Sequence, residues 1–60
     1  MNLAEYRGKR VKIVTDDNKT FIGKATDYIP AQDNTPEIAS ISIGKYELFE
    51  DEIKSIEVIA

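Results

Sequence analysis

Sixty residues with a formal net charge of −3, and with neither Cys nor His, exclude several functions at once. Without Cys there is no disulfide staple, thiolate nucleophile or Cys-ligated zinc; without His the usual general base and nitrogen metal ligand are gone. At 42% hydrophobic and 32% charged residues, the composition is that of one globular domain over 1–60, not of a disordered acidic tail.

The pattern begins with a short helix. Asn2 is placed as an N-cap, with Glu5 three residues on as its capping-box partner. Leu3 to Arg7 make little more than one turn, and Gly8 supplies the left-handed residue that ends it. So short a helix holds only by docking, through Leu3 and Tyr6. Val11-Lys12-Ile13-Val14-Thr15 alternates as a first strand, with Val11, Ile13 and Thr15 on one face. Asp16-Asp17-Asn18-Lys19 is a polar turn of residues that cap amides and tolerate positive φ. Residues 20–28 form the return strand. Phe21, Gly23 and Ala25 share a face, and one bulky residue followed by two small ones suits a sharply bent strand.

Residues 29–37 hold Pro30, Pro36 and Asp33-Asn34, and read as an irregular loop. Ile38 to Ile43 form a third strand. Gly44-Lys45 is a two-residue type II′ hairpin turn. It sets Ile43 opposite Tyr46, Ser42 opposite Glu47 and Ile41 opposite Leu48. Ile41, Ile43, Tyr46 and Leu48 are then core, while Phe49 joins Ser40 and Ser42 on the other face. Glu50-Asp51-Glu52 is a polar corner suited to one 3₁₀ turn. Ser55 to Ile59 form a last strand, with Ile56 and Val58 inward. The fold class expected is all-β: a short N-terminal helix on a five-stranded, strongly bent antiparallel barrel.

Charge is segregated along the chain. Residues 1–26 hold six cations and three carboxylates, a balance of +3; residues 27–60 hold two cations and eight carboxylates, a balance of −6. Such asymmetry marks a nucleic-acid face or a subunit contact. Arg7, Lys9, Arg10 and Lys12 form the compact basic cluster, although the overall pI of about 4.7 is far from that of a basic nucleic-acid-binding domain. Asp16-Asp17 and Glu50-Asp51-Glu52 offer close carboxylates, but both lie at turns, and acid–base work needs a cleft that drives two pKa values apart. Asp33, Asn34 and Glu37 lack the alternating ligand spacing of a calcium loop. No enzyme, cofactor or metal is expected. No apolar run approaches the roughly 20 residues of a membrane helix, and no signal-peptide pattern opens the chain, so a cytoplasmic protein without a membrane partner is expected.

The order of these elements resembles the Sm-like (LSm) family, and most closely its small single-domain bacterial members. The likeness runs through Tyr6-Arg7-Gly8-Lys9-Arg10-Val11-Lys12-Ile13, Phe21-Ile22-Gly23-Lys24-Ala25 and Leu48 to Ile59, covering nearly the whole chain. It implies an SH3-like barrel of five strands behind an N-terminal helix. It also implies a ring of subunits in which the fourth strand of one pairs with the fifth of the next, and binding or scaffolding of RNA. The family's second motif reads Ile-Arg-Gly-Asp-Asn where this chain has Leu48-Phe49-Glu50-Asp51-Glu52. Phe49 replaces the Arg that helps hold a base, and Glu50 replaces the Gly. The family's Asp-and-Asn uridine contacts are interrupted by Pro30, Pro36 and the longer loop, so the uridine pocket is not preserved. The RNA-binding candidates are Arg7, Lys9, Arg10 and Lys12 for phosphate, with Asp33 and Asn34 for a base. Phe49, Ile56 and Val58 are the subunit-contact candidates. The alternative is an SH3-like module that binds a protein partner and no nucleic acid.

Overall fold

A computed structural model describes residues 2–59 of the chain. Five strands run in the order β4-β3-β2-β1-β5, all neighbours antiparallel: β1 (Arg10–Thr15), β2 (Thr20–Ile29), β3 (Ser40–Ile43), β4 (Tyr46–Phe49) and β5 (Ile53–Val58). The expected all-β class and five antiparallel strands are present. The sheet is open, with β4 and β5 as its two edges, so the expected barrel is not closed by hydrogen bonds.

The N-terminal segment is a single 3₁₀ turn, Leu3–Tyr6, shorter than the helix expected through Arg7. The Asn2 side chain makes no capping hydrogen bond; the turn starts instead from the Asn2 carbonyl, which accepts from Glu5 N at 3.3 Å. Four residues are too few for a helical nucleus to hold itself. Leu3, 2% exposed, supplies the docking. Gly8 takes φ +80°, and its N–H donates to Ala25 O at 2.8 Å. That bond leads the chain directly into the β1–β2 ladder.

β2 is the element that shapes the sheet. Its first half, Thr20 to Lys24, pairs with β1, and its second half, from Ala25, pairs with β3. A bulge between Ala25 and Asp27 separates the halves. One extra residue reverses which side chains point inward. Simple alternation from Phe21 and Gly23 would carry Asp27 into the core; beyond the bulge it is Tyr28 that packs on the core, and Asp27 is exposed. Gly23 sits where the halves fold together: a Cβ there would lie 2.8 Å from Ile43 Cγ2. A second bulge, between Val14 and Thr15, lets β5 start at Ile53, two residues before the expected Ser55.

The Gly44-Lys45 hairpin has the expected register, pairing Ile43 with Tyr46, Ser42 with Glu47 and Ile41 with Leu48. Gly44 is left-handed at φ +59° and Lys45 is not, as a type II′ turn requires. At the other turn Asn18 takes φ +65°. The Glu50–Glu52 corner is the expected 3₁₀ turn, and Glu52 Oε1 accepts from Phe49 N at 3.1 Å.

Leu3, Val11, Ile13, Ala25, Ile41 and Leu48 head the core, joined by Ile43 and Ile53. Each fully buried aliphatic side chain contributes roughly 1.5–3 kcal/mol. Two residues expected in the core depart from it. Tyr46 is 50% exposed and Val58 is 52% exposed. Both face inward by register, but each lies on an edge strand, where no further strand covers it.

Candidate functional site

The basic cluster of the sequence divides in three dimensions. Arg10 and Lys12 alternate with Val11 and Ile13 along β1, so they stand on the outer face while the apolar pair enters the core. Arg7 and Lys9 lie before the strand, both exposed, with Lys9 O accepting from Ala25 N at 2.9 Å. The register adds a cation that sequence reading missed: Lys24 on β2 is directly opposite Arg10. Nothing local in the sequence relates positions 10 and 24. Only the length of the Asp16–Lys19 turn, counted outward along both strands, would have paired them.

Asp33 and Asn34 behave differently from each other. Asp33 ends a 3₁₀ turn, Ala31–Asp33, and is exposed. The Asn34 amide is engaged within the chain: Nδ2 donates to Ile38 O at 2.7 Å and to Ser40 Oγ at 3.0 Å. Ser40 Oγ donates in turn to Glu47 Oε2 at 2.8 Å. This relay straps the 30–39 loop over the outer face of β3 and buries Ser40 to 1% exposure. Asn34 therefore serves as a loop clamp, and its amide protons are committed before any base arrives.

The subunit-contact candidates lie on the two free edges. Phe49 is half-buried at the end of β4, paired with Ser40. Ile56 is half-buried on β5 against the core, and Val58 beyond it is exposed. Tyr46, on the opposite edge, leans on Phe21 with ring centroids 5.3 Å apart and tilted by 56°. Edge strands with uncovered apolar residues are sites of strand pairing or partner contact.

The carboxylates at the β1–β2 turn and the Glu50–Glu52 corner are brought together. Asp16 N donates to Glu52 O at 2.9 Å. Asp16, Asp17 and Glu52 line an open groove of about 300 Å³ with Phe21 and Leu48 as its apolar walls. A neighbouring groove of about 370 Å³ shares Phe21 and is lined by Ile43 and Tyr46. The concavity that the sequence left out is thus present, though shallow. The Thr15 hydroxyl donates to Asp17 and holds its carboxyl below the ordinary value of 3.8; the Lys19 backbone and the Lys19 ammonium at 3.7 Å act in the same direction. A general acid needs the reverse, a carboxyl raised by burial or by a like charge. Among the described residues, no group of three or more Asp or Glu converges as metal ligands.

No described helix is long and apolar enough to cross a membrane. Comparison with protein families, curated proteins and solved structures finds no match to this chain.

Proposed function

We propose that this chain is a non-enzymatic assembly protein of the Sm-like type, which works in the cytoplasm as a homo-oligomeric ring and contacts RNA through phosphate. The observation that carries the reading is the pair of free edges. β4 and β5 flank one open sheet, and each leaves an inward-facing apolar residue uncovered, Tyr46 on one and Val58 on the other. Pairing β4 of one copy with β5 of the next covers both and supplies partners for both rows of edge amides and carbonyls. A chain of 60 residues gains most from such burial, because its own core is small. RNA contact is supported by exposed cations at 7, 9, 10 and 24, and uridine selection is not part of the reading. A second reading, an SH3-like module for a protein partner, is favoured by the aromatic groove along Phe21 and Tyr46.

Light scattering with and without short RNA oligomers, at about 50 mM salt where phosphate contacts are strong, tests both readings. The expected result is a defined multiple of the 6.8 kDa chain, with added mass when RNA is present. Val58→Glu should reduce that multiple by placing a charge at the β5 edge. A strictly monomeric species at high concentration, unchanged by RNA, would overturn the assembly reading.

A further inference from the structure

Two cations stand face to face on the outer surface of β1 and β2. Arg10 pairs with Lys24, and the next outward pair along the same face is Lys12 with Ile22. Like charges directly opposite on adjacent strands are destabilising. Among the described residues no carboxylate closes an ion pair with either cation: the one ion pair there, Lys19 with Asp17, lies at the far end of the sheet. Glu57 is opposite Lys12 on the β5 side, and Glu5 and Asp27 flank the patch in sequence, but none of them closes an ion pair there. Ile22 is 54% exposed beside these cations, an apolar surface left open by the described residues.

We infer that this outer β1–β2 face is a binding site for single-stranded RNA, in which Arg10 and Lys24 together hold one phosphate, Lys12 holds a neighbouring phosphate, and Ile22 receives the face of an unpaired base. The inference rests on the RNA-contact reading above and gives it a location and a ligand class. A phosphate between Arg10 and Lys24 turns a cross-strand repulsion into two attractions. The apolar step at Ile22 sets the strandedness. Duplex bases present only their edges, because their faces are stacked, whereas an unpaired base offers a face for packing. Polyphosphate offers charge and no base at all.

The test is fluorescence anisotropy of the full chain with three probes at stepped salt: a mixed-sequence single-stranded RNA, a hairpin duplex of equal length, and polyphosphate. Single-stranded RNA should bind tightest of the two RNAs. Lys24→Gln should weaken all three probes, and Arg10→Gln combined with Lys24→Gln should lower the salt slope for single-stranded RNA by about 0.7, the loss of the one phosphate that the two cations hold. Ile22→Ser should weaken single-stranded RNA several-fold and leave polyphosphate unchanged. Lys54→Gln, remote from the patch, should leave the slope as it is. Lys24→Gln should also raise the low-salt melting temperature, which shows that its weaker binding does not come from unfolding. If the wild type binds RNA and the double variant Arg10→Gln with Lys24→Gln keeps the full slope, or Ile22→Ser weakens polyphosphate as much as RNA, the site is wrong and RNA contact lies elsewhere. If the wild type binds none of the probes, both the site and the RNA reading fail.

Discussion

The two outer faces of this sheet differ in charge and in what covers them. On β3 and β4 the outward residues are Ser40, Ser42, Glu47 and Phe49; on β1 and β2 they are Arg10, Lys12, Ile22 and Lys24. The first face is strapped by the 30–39 loop. Its polar groups answer one another through Asn34, Ser40 and Glu47, and Ser40 is buried. The second face is bare, and its cations repel across the strands. A covered polar face must satisfy its donors internally. A bare one relies on water or on a ligand. The difference makes the β3–β4 face a contributor to stability and leaves the β1–β2 face as the one on which the proposed binding site lies.

Substitutions at and around the two faces sharpen this contrast. The largest effect is expected where the two halves of the sheet meet. Gly23→Val drives a side chain into Ile43 and should destabilise the chain by about 1–3 kcal/mol, read by urea denaturation. Next comes the covered face. Ser40→Ala removes the two relay bonds made by the Ser40 hydroxyl and should cost roughly 1–2 kcal/mol, at about 1 kcal/mol per hydrogen bond. Hydrogen exchange should also speed up in residues 30–39 and not in β1. An unchanged exchange pattern would mean that the strap does not hold the loop.

On the bare face the sign should reverse. Lys24→Gln should stabilise by about 0.2–1 kcal/mol at low salt, an effect that shrinks as salt screens the repulsion. A loss of stability there would show that the two faces play the same role. The smallest effect is expected at Asp17. Its pKa is lowered in the folded chain, so its contribution is complete above the unfolded value near 3.8 and is lost as pH falls through the folded value. Wild type should exceed Asp17→Asn in melting temperature at pH 6, and the gap should close below 3.8. A gap that persists at pH 2 would remove the Thr15 hydrogen bond to the ionised carboxylate as its cause.

Local chemistry was legible wherever it sufficed. The Gly44-Lys45 turn determined the register of β3 against β4, because a two-residue loop with a left-handed first residue permits one pairing. The Asp16–Lys19 turn and the Glu50–Glu52 corner were legible for the same reason. The N-terminal capping box was not formed, since a single 3₁₀ turn docked by Leu3 has no need of it. The candidate site was legible in part: the cations of β1 stand in the sequence, whereas the pairing of Lys24 with Arg10 does not, and the Asn34 amide offered for a base contact donates within the chain to Ile38 and Ser40.

The sequence by itself determined an all-β chain of five short strands, the positions of its tight turns, and the segregation of charge between its two halves. Those depend on alternation, turn residues and counting, all of which act within a few neighbours. Only the tertiary structure decided that a bulge after Ala25 brings Tyr28 onto the core, that Tyr46 and Val58 stay uncovered on open edges, and that Lys24 faces Arg10. Each of these depends on which strands lie side by side. Burial and charge pairing are set by neighbours distant in sequence, and periodicity along one strand carries no record of them.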